Sequence, residues 1–162
     1  MTNAGVRDAA GTRRQLWGGT LLGVGFGGFF DGIVIHQLLQ WHHFTSHREP
    51  PVTLAALKDN TFTDGLFHSA MYVVALGGLA LLWSGARRSR RLIPPGALVG
   101  LLLLGWGVFN TYDSFVNHWA LELHHVREVE NPLPYDLGFL LMGFVLLALG
   151  VVLTRRAMAA RF

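Results

Sequence analysis

The sequence predicts an all-α integral membrane protein: four transmembrane helices built from two repeated helical hairpins in parallel orientation. Three observations predict it. Only 14% of the 162 residues are charged while 51% are hydrophobic, against about 25% charged in an average soluble domain. Four apolar runs divide the chain, each near the ~20 residues a helix needs to cross a ~30 Å hydrocarbon core. The basic residues gather in alternate connections, as they do around membrane spans. The apolar content excludes a disordered chain. Four such runs in so short a chain leave no amphipathic helices to cover them as a soluble core.

The first run, residues 16–40, opens after Arg13 and Arg14. The second, residues 65–84, stops at Arg87, Arg88, Arg90 and Arg91. The third, residues 96–119, follows Pro94 and Pro95, which suit the first turn of a helix. The fourth, residues 137–154, ends at Arg155 and Arg156. Together they use the chain as a single membrane domain with short loops, residues 15–85 forming one hairpin and 95–156 the other. Residues 1–14 carry no small-residue cleavage site behind a short apolar core, so no signal peptide is expected. Cysteine is absent, which excludes disulfides and thiolate metal sites.

Ten of the thirteen basic residues lie in the N-terminal segment, the connection after the second run, and the C-terminal tail. The other two loops hold only Arg48, Lys58 and Arg127. The bias sets both termini and the middle connection in the cytoplasm, with residues 41–63 and 120–136 outside. An inner (cytoplasmic) membrane location follows. The net charge of +3 is then a mark of topology. The partner it implies is a lipid bilayer, not nucleic acid. All eight histidines, and every acidic residue except Asp8, fall in the outer half.

The most specific signal is a repeat. Asp31, His36, His42 and His43 have the spacing of Asp113, His118, His124 and His125, each residue 82 positions from its counterpart. Gly23 and Gly25 match Gly105 and Gly107, and Gln40 overlies Glu122. An aspartate opens the shorter run of each hairpin, Asp64 and Asp136. Two spans per copy give both copies the same orientation, with a pseudo-twofold axis along the membrane normal. The first and third spans are expected to share one interior, because each carries costly ionisable groups at the same depth. The glycines at positions 19, 23 and 27 form a small-residue run of the kind that lets helices approach closely.

On ideal α-helices, His36, Gln40 and His43 form one stripe and His118, Glu122 and His125 another. Asp31 falls about 140° from His36 on the same construction. Depth places His36, His68 and His118 at one level, as the core of a metal site. Asp31, Asp113, Glu122, His43 and His125 are candidates to complete its shell or orient its imidazoles. Leu140 stands where the second hairpin would repeat His68, so one asymmetric site is expected. Such donors suit copper, zinc or iron. The plain alternative is polar glue between helices, with the outermost histidines wet at the interface. His47 reads as a loop residue, Asn117 as a hydrogen-bonding partner of the ligands, and Trp17, Trp41, Trp83 and Trp119 as an aromatic belt.

Residues 25–43 (GFGGFFDGIVIHQLLQWHH), 64–68 (DGLFH) and 124–127 (HHVR) resemble a bacterial family of predicted membrane proteins, domain of unknown function 2243. The resemblance covers nearly the whole chain. It implies a small four-helix membrane protein without a settled activity. It also implies a connection to copper, since family members are sometimes joined to or encoded near a copper-related assembly factor of cytochrome oxidase. By analogy this favours copper as the metal and a respiratory or copper-assembly membrane protein as a partner, beside a homo-oligomer. The leading function is therefore an outer-face copper site, for copper handling or as a metal-dependent membrane oxidoreductase. Two other classes compete: a b-type haem protein with His36 and His118 as axial ligands, and a metal-free accessory subunit of a membrane complex.

Overall fold

A computed structural model describes residues 3–160. Arg161, one of the basic residues that set the expected orientation, lies outside the described residues. The chain forms α1 (Asn3–Phe30), which runs on into a π-helical stretch, π1 (Asp31–Leu39), then α2 (Leu54–Ser89) and α3 (Pro95–Asp113). A second π-helical stretch, π2 (Ser114–Ala120), continues α3, and α4 (Leu133–Ala159) closes the chain. No strand occurs among the described residues. All four helices, counted with their π extensions, are long and apolar enough to cross a membrane.

Two helices begin well before their apolar runs. The helix α2 starts at Leu54 because the Thr53 side chain accepts a hydrogen bond from Ala56 N–H at 3.1 Å, an N-cap. Its polar first turns stay helical because Asn60, fully buried, donates to the Glu49 carbonyl at 2.8 Å. At 36 residues α2 is about 54 Å long, so its ends project beyond a ~30 Å hydrocarbon layer. At the other end of the molecule Gln15, buried in α1, donates to Arg91 O and accepts from Ile93 N–H at 2.9 Å. That side chain fastens the arginine-rich connection to α1.

The helices stand in a row. The helix α1 packs on α2, α3 packs on α4, and α1 packs on α3. The outer helices α2 and α4 each lie against their own hairpin partner and do not meet. The arrangement is an open row of two hairpins joined at α1 and α3, not a closed bundle.

Glycine makes the joint. A Cβ added to Gly23 would strike the backbone of Leu102, and one added to Gly105 would stand 2.7 Å from Val24 N. Within each hairpin the same close approach recurs, Gly18 against Gly78 and Gly100 against Gly150. Lipid tails are as apolar as leucine, so helices gain little by hiding apolar surface and associate through tight van der Waals contact.

Replacing Gly105 with leucine must therefore part α1 from α3. We expect a loss of about 3 kcal/mol or more, measured by denaturant titration in detergent micelles. Gly77 faces open space, and Gly77→Leu is expected to cost less than about 1 kcal/mol.

Candidate metal centre

The centre is built at one end of the α1–α3 joint, where both helices change pitch. A π-helix closes i→i+5 hydrogen bonds in place of i→i+4, and such segments gather at functional sites. The wider turn brings residue i+5 over residue i. Asp31 and His36 are five apart, as are Asp113 and His118. In consequence His36 Nε2 lies 3.1 Å from Asp31 Oδ2, and His118 Nε2 lies 3.0 Å from Asp113 Oδ2. The separation of about 140° expected on an ideal α-helix does not arise.

The expected stripes through Gln40 and Glu122 do not arise either. Helix stops at Leu39 and at Ala120. Gln40 and Glu122 are exposed and sit in the left-handed region, at φ 50° and φ 47°. The N–H groups of Gln40 and Trp41 both reach back to the Ile35 carbonyl, which swings the following residue over the helix end. That residue is His42, and in the second half it is His124. Both are buried, as are Asp31, His36, Asp113 and His118.

Two triads result: Asp31, His36 and His42, and Asp113, His118 and His124. Within each, one donor atom from every residue lies within 4.8 Å of the others. His42 Nε2 is 3.9 Å from Asp31 Oδ2, and His124 Nε2 is 3.6 Å from Asp113 Oδ2. Donors about 2.1 Å from a tetrahedral ion lie roughly 3.4 Å from one another, so this spacing is that of a metal shell. The triads abut. The His42 and His124 rings stack 4.3 Å apart and within 4° of parallel.

Hydrogen bonds fix which nitrogen faces inward. His42 Nδ1 donates to the Val126 carbonyl at 2.9 Å, and His124 Nδ1 donates to the Phe44 carbonyl at 2.9 Å. Each loop thus holds the histidine of the other, and Nε2 is the nitrogen left for the centre. The Nε2 atoms of His42, His118 and His124, with Asp113 Oδ2, are buried without a hydrogen-bond partner. The His118–Asp113 contact is short, but its angles are not those of a hydrogen bond. Three of these orphans belong to the second triad and one, His42 Nε2, to the first; such atoms fit a metal ion, since leaving each unmet costs about 1–3 kcal/mol. Outside the spans, burial pushes the His42 imidazole down, and the charge on His124 adds to that. Burial also opposes a charge on His124, but the Asp113 carboxylate outweighs it and raises that imidazole.

Two further aspartates brace the triads. Asp64 accepts from His36 Nδ1 at 2.9 Å, His43 Nδ1 at 2.7 Å and Phe44 N–H at 2.8 Å. Asp136 accepts from His125 Nδ1 at 2.7 Å and Val126 N–H at 2.9 Å, and lies 3.4 Å from His118 Nδ1. A carboxylate behind a ligand histidine fixes its ring and raises its basicity. Asn117 donates to Asp113 Oδ1 at 2.7 Å. Above the centre, Arg127 packs over Trp41 and Tyr135, so Trp41 serves as a clamp between loops.

Of the sequence candidates, His36, His118, Asp31 and Asp113 come together. His43 and His125 do not join them; they stand outside, behind Asp64 and Asp136. The ring beside His125 is that of His47, 4.7 Å away. Glu122 turns to the surface. His68 does not join the site: its Nε2 rests against Gly32 and its ring lines a separate pocket. His42 and His124, read as interface histidines, take the third place in each cluster, and the 82-residue match already contained both.

The family described as "predicted membrane protein (DUF2243)" matches residues 18–157. The chain belongs to this family. The DUF2243 match spans both triads together with Asp64 and Asp136. No curated protein and no solved structure matches the chain.

Replacing Asp64 by asparagine turns an amide N–H toward groups that already donate. We expect Asp64→Asn and Asp136→Asn each to cost about 1–3 kcal/mol in thermal unfolding followed by circular dichroism. The exposed His47 pairs only with Glu128, at 3.3 Å, and His47→Ala is expected to stay within about 0.5 kcal/mol.

Proposed function

We propose that this DUF2243 protein is a membrane metal protein whose two Asp-His-His triads each hold one ion. The observation that carries the reading is the metal-shell spacing of the buried donors in both triads, reinforced in the second by three unpartnered atoms. The shell is one carboxylate and two imidazoles per ion. Copper(II) leads the divalent affinity order for nitrogen and oxygen donors, with zinc and iron behind it. Sulfur is no part of the shell: Met71 packs against Gly28 and Met142 faces outward. Copper is our first choice on these grounds, held for copper handling or for redox chemistry by neighbouring ions. The bound metal would supply electron transfer or Lewis acidity. The chain's own residues place the donors, fix the tautomers and keep water out.

Packing argues against the haem alternative. The rings of His42 and His124 stand beside His36, at 4.5 Å and 6.1 Å, and His124 stands 5.0 Å from His118. They fill the space a porphyrin would need. One feature favours a metal-free role: both ring nitrogens of His36 reach carboxylates, as an imidazolium would.

The orientation and the repeat belong to the same proposal. Arginines at the α2–α3 connection and at the end of α4, against few basic residues in the loops over the centre, support a cytoplasmic-membrane protein with both termini inside and the centre near the outer face. Matching contacts 82 residues apart in α1 and α3, and 72 apart in α2 and α4, support two copies of one hairpin. Reporters fused after Pro51 and after Arg91 should then lie on opposite sides of the membrane, the second in the cytoplasm.

Metal analysis of detergent-purified protein tests the centre itself. The parent should carry two ions per chain, His36→Ala one, and the double variant His36→Ala/His118→Ala none, while His47→Ala retains both. Copper(II) would give a paramagnetic resonance signal with imidazole nitrogen couplings. Equal metal content in the parent and the double variant would overturn the reading and leave the triads as polar contacts between helices.

A further inference from the structure

The pocket that takes His68 is a feature the two triads do not use. It lies between π1 and α2, on the side of α1 away from α3. Phe29, Ile33, Gln37, His68 and Tyr72 line it, and its volume is about 410 Å³, within the ~300–1,000 Å³ of small-molecule sites. Ile33 and Tyr72 are strongly exposed at its mouth. In a chain that spans a bilayer, such a mouth opens to lipid.

The lining has a definite chemistry. Phe29 and Tyr72 meet edge to face at 5.0 Å and make an aromatic wall. Three polar side chains, Gln37, His68 and Tyr72, converge on an otherwise apolar space. His68 Nε2 is buried without a hydrogen-bond partner, over Gly32, whose missing Cβ lets the ring in. That nitrogen is sealed against Gly32, and Nδ1, which makes no hydrogen bond and is not shut in, is the ring nitrogen that the pocket can meet. An acyl chain would fill the volume but leave His68 and Gln37 unmet. A flat ring bearing oxygen atoms would stack on the aromatic wall and pair with both.

We propose that this pocket binds the head group of a lipid-soluble quinone, one ring oxygen hydrogen-bonded to His68 and another within reach of Gln37. The site also has a position that matters. Gly32, under His68, follows Asp31 in the chain, and the Phe67 ring neighbours both imidazoles, 5.6 Å from His36 and 5.8 Å from His68. A bound ring would stand one aromatic side chain from the first triad. The second hairpin has Leu140 at the position of His68, so the pocket belongs to one half only. Its existence does not require the triads to hold metal.

Titration calorimetry of protein in lipid nanodiscs against a decyl-substituted para-benzoquinone, corrected with empty nanodiscs, tests the proposal. We expect saturable binding of one quinone per chain. His68→Phe, which keeps a ring and removes the nitrogens, should weaken it tenfold or more, and Gln37→Leu several-fold. Metal content should be the same in both variants as in the parent, which separates this test from that of the triads. Absence of saturable binding to the parent would overturn the proposal. So would unchanged affinity in His68→Phe. Equal competition by decylbenzene, which lacks ring oxygens, would make the pocket a lipid groove and overturn it too.

Discussion

Each half of the centre depends on a carboxylate placed five residues before an imidazole, inside a helix. In an α-helix that spacing points the two groups apart, and each would bury an unpaired polar group at a cost of several kcal/mol. The π turn removes the conflict by widening the helix where the pair sits. The strain of the wider turn is local, and the gain is a pair of ligands on one face. Everything above follows from this choice. The early helix stop, the left-handed turn at Gln40 and Glu122, and the return of the next histidine over the helix end all start from the π segment.

The glycine joint is the second requirement, and it serves the first. Two triads can share one interior only if α1 and α3 approach at nearly backbone distance, and only small residues allow that. Gly23 and Gly105, equivalent in sequence, meet the opposite backbones. The crossed loops then act as a lid. Each donates a carbonyl to the other's histidine, so neither half of the centre is complete without its partner. A single hairpin would leave its outer histidine without its hydrogen-bond acceptor and its rings facing lipid.

The four spans, the pairing of α1 with α3 and four of the clustered residues were legible in the sequence because each has a simple signature. Apolar length marks a span, and a polar group inside one marks a site. The pitch of the last turn has no such signature. Nothing in the composition of residues 31–39 or 114–120 separates a π from an α turn, and the helical projection rested on that pitch. The projection therefore put Glu122 on the stripe of His118 and set Asp31 apart from His36. The repeat held better information. It kept His42 and His124 in register with the other ligands whatever the pitch, and it paired Asp64 with Asp136 before any role for them was evident. His68 was placed by depth alone, and depth along a span does not say which way a side chain turns. Gly32 decides that, by leaving a hollow on the side of π1 away from α3.

That hollow breaks the correspondence of the two halves. The six residues match pair by pair, and so do the bracing aspartates, yet only the first hairpin has an imidazole at this position, lining a pocket outside the joint. A centre built from two equal triads gains nothing for ion binding from such a difference. It does gain a direction. If a lipid-soluble partner meets the protein beside the first triad, the second triad stands farther along the same line, with the stacked rings of His42 and His124 between them. Symmetry then makes the shell, and the single broken position, histidine against leucine, gives it an entrance.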